Sequence, residues 1–470
     1  MSVRTQRALR SILDSSGWRN APLSALQITP APNILPTSLP IGALAGAALG
    51  ATGLAAAALW QLRSGTLQQV GVDTRAATLA MTSATYLRVN GEAVKSWDPI
   101  TGYYRVRDGE WVYLHGNFAH LRDGLLKLFD VPNDPAALRA ALATWSAADI
   151  EDAAGQRGLC GVGVRTPATW ESHPQARATT ALPLIEITRI GDAPPQPLAS
   201  AARPLSDIRV LDLSRVIAGP MSARTLAEHG ATVLQVGAAH LPSIESLVID
   251  TGFGKHSCAV DLDTAAGVEA LHGLIDDADI FLNAYRPGAL ERRGFSPAAL
   301  AERRPGIVYV TISAFSRAGP WAQRRGYDTL VAAASGLTWT GSGDPARLPC
   351  QPLDYLTGYL GAFGAMLALQ RRAQQGGSWH VQLSLERTSA WIREMTAALG
   401  REDAVATVVP PAAEIVDLYA ESPSRFGSLR HLKPVVQMSD TPARWERPPV
   451  PLGSDPALWP ASIATPAGGL

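Results

Sequence analysis

From residue 208 onward the sequence alternates short apolar runs with helical periods, and this alternation restricts the fold more than anything else in the chain. "IRVLDLS" precedes the helical "MSARTLAEHG", "ATVLQV" follows it, and the pattern continues through "VEALHGLIDDA", "DIFLNAY" and "GIVYVTISAF". Strand runs this uniformly apolar are buried on both faces, which requires helices packed above and below a parallel sheet. The fold class is therefore α/β.

The expected core is a Rossmann-like parallel sheet domain at residues 206–400, with helices on both faces. At 470 residues the chain is long enough for more than one domain. "GYYRVRDGEWVYLHGNF" reads as a hairpin turning at Asp108 and Gly109, and "DPAALRAALATW" as an amphipathic helix, so residues 97–190 form a smaller α+β domain. The Pro-rich stretch 191–205 is a linker, and residues 1–37 are an N-terminal arm. Residues 401–470 make a C-terminal segment with a Pro-rich tail, either disordered or laid as an arm over this or a neighbouring subunit.

Residues 38–96 are explained by an internal repeat. "GATGLAAAALWQLRSGTLQQVGVD" aligns without a gap with "GAFGAMLALQRRAQQGGSWHVQLS", so each copy predicts a small-residue helix, a Gly break and a strand. The first copy is a degenerate Rossmann-like fragment, and the same alignment sets its Ala43 against Asp354. Residues 41–62 are uncharged and long enough to cross a bilayer. Their aligned partner carries Arg371 and Arg372, which favours a packed helix in both copies and no membrane span.

Charge and motif content narrow the function. Lys plus Arg number 41 and Asp plus Glu 41, so nothing draws the whole chain to nucleic acid or anionic lipid. Cys160, Cys258 and Cys350 are widely spaced, which predicts no disulfide framework and no metal site, and a cytoplasmic location. No GxGxxG, phosphate loop, GxSxG or HExxH is present. The loop "SRVIAGP" falls where open α/β sheets bind ligands, with Pro220 suited to the first helical position and free N–H groups beside it. Asp354 is the one charge at the entrance to an apolar, glycine-rich helix; as a bare sequence feature it reads as an N-cap.

Four blocks together say more: "RVLDLSRVIAGPMSARTLAEHGATVLQV", "GKHSCAVDLDTAAGVEALHGLIDDADIFLNAYRPGALERRGFS", "GIVYVTISAFSRAGPWAQRRGYDTLVAAASG" and "PLDYLTGYLGAFGAMLALQRR". In this order, over residues 209–385, they resemble the family III CoA-transferases, whose racemase branch acts on α-methylacyl-CoA. The resemblance implies transfer of CoA from an acyl-CoA thioester to a carboxylic acid, with no permanently bound cofactor. Asp354 would be the nucleophile, with Gly358 four residues on, and apolar walls and helix-start N–H groups would serve it. By the same resemblance Val216, Ile217 and Ala218 line the thiol end of CoA, and Tyr285, Arg286 and Arg292 lie near its nucleotide. An intertwined homodimer is also implied.

Departures from the family pattern keep alternatives in view. The racemase branch reads Gly-His-Asp where this chain has Gly326, Tyr327 and Asp328; the missing His favours transferase over racemase, and Asp328 reads as a wall residue of the site or, in preference, a plain helix cap. Positions 235–239 and Asp263 lack basic residues common in relatives, which motivates a third reading, a catalytically impaired CoA-binding or assembly subunit. The loop "TGSG" at 340–343 reads as a mobile cover or an ordinary turn.

Overall fold

The computed structural model describes residues 1–94, 97–341, 343–402 and 408–460. Ser342, in the expected cover loop, and the last ten positions of the Pro-rich tail lie outside the described residues.

The central sheet has seven strands in the order Lys255–Ala259, Thr232–Gly237, Arg209–Leu213, Ile280–Asn283, Val308–Ser313, Ser378–Ser384 and Glu186–Gly191. The first six run parallel. Their apolar side chains are buried on both faces, as the unalternating runs require. Strand order reverses between Arg209–Leu213 and Ile280–Asn283, which opens a crevice at the carboxyl ends of these two strands.

The seventh strand departs from the all-parallel expectation. Glu186–Gly191, sequence that reads as part of the small α+β domain, pairs antiparallel with Ser378–Ser384. An antiparallel partner needs no crossover helix and covers an otherwise open edge. The hairpin Gly102–Arg105 and Trp111–Leu114 forms around Gly109, whose φ of 78° suits a turn, and Gly161–Gly163 extends it to three strands.

The repeat is visible in three dimensions. Ile41–Ser64 and Pro352–Gln375 are both 24-residue helices, packed on one another, and each ends at a glycine before a strand. A Cβ on Gly53 would come 2.5 Å from Val70, and one on Gly364 would come 2.6 Å from Val381. These are aligned glycine–valine pairs, so the same close helix–strand approach is made twice. Ala43 is the third residue of the first helix and Asp354 the third of the second. The first helix is long and apolar enough to cross a membrane, yet its apolar window is wholly buried in protein.

The tail lies against its own domain. Trp445 stacks on Arg224, Asp455 accepts the Ser257 N–H (2.8 Å), and the Trp459 indole donates to the Leu274 carbonyl (2.9 Å). Such an arm uses backbone-poor, Pro-rich sequence to cover a sheet without adding a strand.

Candidate active site

The loop leaving strand Arg209–Leu213 is shaped by a buried ion pair. Asp212 sits on that strand and Lys255 on the sheet's edge strand, and their charges meet at 2.7 Å. Lys255 Nζ also donates to the Pro220 carbonyl (2.8 Å), and Ser214 Oγ donates to Asp212. Both ends of the loop are thus tied to one buried charge cluster. Burial lowers the Lys255 pKa and Asp212 pulls it back up. Between these anchors Val216 is held at φ 74°, a left-handed conformation that a β-branched residue adopts only when its surroundings impose it.

The following helix, Ala218–Glu228, begins two residues before the expected start, so Pro220 occupies its third position, where its missing N–H is not needed. It crosses Pro352–Gln375 at glycines. A Cβ at Gly358 would lie 2.7 Å from Met221 Cβ and 2.8 Å from the Ala218 carbonyl, while Ser222 Oγ donates to the Gly358 carbonyl (2.7 Å). The glycine four residues after Asp354 therefore lets the Val216 loop close over the aspartate.

Asp354 is not a cap. Gln351 is the N-cap residue, and the cap function comes from Asp328, on a different helix. The N–H groups of Leu353 and Asp354 donate to Asp328 Oδ2, at 2.7 and 3.0 Å. This corrects the expected role of those N–H groups, because a carboxylate already occupies them. Asp328 thus caps a helix other than its own and also lines a cavity, so both roles open to it from the sequence are met.

Asp354 is 6% exposed, and its carboxyl makes no hydrogen bond among the described residues. Burial, reinforced by the neighbouring Asp328 charge, holds its pKa well above the ordinary carboxylate range. Burial pushes Asp328 up to about 7, against the pull of the two N–H groups it accepts. Those N–H groups favour the charge on Asp328, so Asp354 is the carboxyl that holds its proton more tightly.

Two cavities meet at this carboxyl, divided by Val216, Ile217 and Tyr327. The larger, about 750 Å³, fills the crevice where strand order reverses. Ala218, Tyr285 and Arg286 line it as well. Arg292 does not; the neighbouring Arg293 does, with its guanidinium paired to Asp263. Arg215, Arg286 and Arg325 face the same space without a carboxylate partner among the described residues. The smaller cavity, about 460 Å³, lies between the first repeat unit and the Asp354 helix.

Behind Asp354, Tyr355 reaches Asp250 (3.4 Å), which also accepts from Ser83 Oγ (2.6 Å) and faces Arg224 (3.4 Å). Arg224 lies between Phe253 and Trp445. The residues that sequence reasoning missed are Asp212, Lys255 and His115. An acid inside the buried run "RVLDLS" was the available signal for the first two, since it demands a buried cation. His115 had no signal, because only tertiary packing brings it to Tyr327.

Residues 205–420 match CoA-transferase family III, and this part of the chain belongs to that family. Among curated relatives, an acetyl-coenzyme A transferase of Hypoxylon pulicicidum is 33% identical over 42% of this chain and 35% of its own. A probable fatty acyl-CoA transferase of Mycobacterium tuberculosis is 32% identical over 40% of this chain and 52% of its own. The match to these two thus spans about half of their length or less. An acyl-CoA transferase of Gibberella moniliformis is 29% identical over 82% of this chain and 81% of its own.

Proposed function

We propose that the protein transfers CoA from an acyl-CoA thioester to a carboxylic acid through covalent intermediates on Asp354. The observation that carries this reading is the placement of one buried, otherwise unbonded carboxyl at the junction of a cation-lined cavity and a second, separate one. CoA is anionic, and Arg215, Arg286 and Arg325 offer charge that no carboxylate of the described residues neutralises. They make up locally for the basic positions absent at 235–239 and 263.

In the proposed cycle the Asp354 carboxylate attacks the thioester carbonyl; a C–O bond forms, the C–S bond breaks, and CoA leaves as thiolate. The thiolate then attacks the aspartyl carbonyl of the mixed anhydride, releasing the first acid as carboxylate and leaving an aspartyl–CoA thioester. The acceptor carboxylate opens that thioester to a second anhydride and frees CoA thiolate again. Attack of this thiolate on the new acyl carbonyl yields acyl-CoA and regenerates Asp354. Every step conserves one activated acyl bond, so water must be kept out, and the near-complete burial of Asp354 meets that need.

Racemisation is disfavoured on chemical grounds. It requires two groups that exchange protons at the α-carbon near neutral pH. Tyr327 stands where the racemase branch has its acid/base His; burial drives its phenol far above its usual range and the stacked His115 imidazole down to about 3, so neither takes the place of that His. A cytoplasmic location and an intertwined homodimer belong to the same proposal; the three buried free cysteines fit a reducing compartment, and light scattering of the purified chain reads the dimer.

The test is hydroxylamine trapping. Incubation with acyl-CoA donors and hydroxylamine should place a hydroxamate on Asp354, seen by mass spectrometry, and D354N should lose at least about a thousandfold in turnover. Full turnover by Asp354→Asn would overturn the proposal.

A further inference from the structure

The smaller cavity is built by two parts of the chain that sequence separates. Ala84, Leu87, Ala93 and Trp97 come from the first repeat unit and its junction, and Ile244 and Leu247 from the main domain. These walls are apolar, while Thr85, Asn117, Thr329 and Gln351 add uncharged polar groups to the lining. Trp97 stands at the mouth, 42% exposed, with the Arg347 guanidinium stacked on its ring. Among the described residues that line the cavity there is no lysine or arginine.

His115 contributes the polar feature of this space that nothing else explains. It is buried, it lines the cavity, and neither ring nitrogen has a hydrogen-bond partner among the described residues. A buried imidazole left unpaired is costly, so a partner that enters with the ligand accounts for it. Its ring stacks on Tyr327 with centroids 4.2 Å apart and planes 14° apart, which fixes its orientation beside the wall that separates the two cavities. Burial, with a further push from Arg347, keeps the ring neutral, so it offers one N–H donor and no charge.

We infer that this cavity is the acyl and acid subsite for Asp354, that it takes apolar monocarboxylic acids in preference to dicarboxylates, and that His115 donates to the carbonyl or carboxylate oxygen of the substrate. The inference rests on the transferase reading and adds the substrate class. It also accounts for the first repeat unit, which has Ala43 in place of an acid and does no chemistry but supplies a wall of the subsite. The lining itself holds no described lysine or arginine, and the nearby Arg347 is stacked on Trp97 at the mouth, so the second carboxylate of a short diacid lying inside the cavity meets no charge partner.

Calorimetry on the intact chain tests this without turnover, using sodium octanoate, sodium succinate and free CoA as probes. Octanoate should bind and succinate should bind at least tenfold more weakly. Ala93→Trp, at an exposed wall position, and His115→Phe, which keeps the stacked ring but removes the donor, should each weaken octanoate about tenfold. CoA binding should stay within twofold in both variants, which also certifies their folding. Equal or tighter succinate binding, no octanoate binding by the parent chain, or unchanged octanoate affinity in both variants overturns the inference. Failure of the transferase reading has a different signature: octanoate binds as described, but no acyl-CoA donor leaves a hydroxamate on Asp354.

Discussion

Asp328 Oδ2 accepts the backbone N–H groups of Leu353 and Asp354 at 2.7 and 3.0 Å, so the residue that caps the aspartate helix also sets the charge felt by Asp354. One carboxylate fixes the helix start and raises the proton affinity of its neighbour. Reaction requires the ionised form of Asp354, so the pair governs the pH at which the protein can work.

Replacing Asp328 with Asn tests that coupling. Asn keeps an acceptor oxygen for the two N–H groups but removes the charge, so the Asp354 pKa falls and its ionised fraction rises at any given pH. The acid limb of kcat should move to lower pH, still above the ordinary carboxylate range because burial is the larger cause. Stability should drop by only about 1 kcal/mol, the scale of a weakened cap and helix-end charge. A pH–rate profile with an unmoved limb would disprove the coupling.

Two glycine-to-alanine changes should have opposite signs. Gly358→Ala puts a methyl 2.7 Å from Met221 Cβ and 2.8 Å from the Ala218 carbonyl, so the Val216 loop must shift, at about 1–3 kcal/mol and with a fall in kcat/KM. Gly273, inside helix Ala265–Asp276, has open space at the same point. There Ala should stabilise by up to about 1 kcal/mol and leave activity alone. Denaturant melts with parallel assays decide both.

Lys255→Met should leave Asp212 as an uncompensated buried acid and cost about 3–5 kcal/mol. The double change Lys255→Met with Asp212→Leu should recover most of that stability. Activity should stay low in the double variant, because the Pro220 carbonyl and Ser214 hydroxyl lose the partners that hold the Val216 loop. Recovery of full activity would show that the ion pair does not shape the loop.

Glu228 predicts a stability change with pH. Burial raises its pKa to about 7, so the folded chain holds a proton that the unfolded chain, near 4.5, has released. Stability from this group therefore declines as pH rises from about 4.5 through 7, by on the order of 3 kcal/mol. Glu228→Gln should remove that decline, so that its melting temperature rises with pH relative to the parent across this window. The buried His229, pushed down to about 3, acts in the other direction: its contribution is present above 6.5 and is lost as pH falls toward 3. The two windows overlap and oppose between about 4.5 and 6.5; His229→Phe should remove the rise of stability with pH from about 3 to 6.5, and a variant whose slope matches the parent's would refute its assignment.

The layered sheet was legible because burial on both faces leaves an unbroken apolar run in each strand, from "RVLDLS" to "GIVYVTIS". The repeat was legible for a similar local reason, since Gly53 and Gly364 answer to the valines their helices must approach. The resemblance to family III pairs Asp354 with Gly358, and their four-residue spacing sets both on one face of the helix. What the chain order could not reveal were contacts closed by tertiary packing. Asp328 caps a helix that begins 24 residues later, Lys255 neutralises an aspartate two strands away, and His115, just past the end of strand Trp111–Leu114, reaches Tyr327 at the start of helix Asp328–Ala334. Local periodicity determines which face of an element is buried. Only the assembled fold decides which polar groups share a buried space, because pairing and proton affinity there depend on distances and desolvation that no single segment contains.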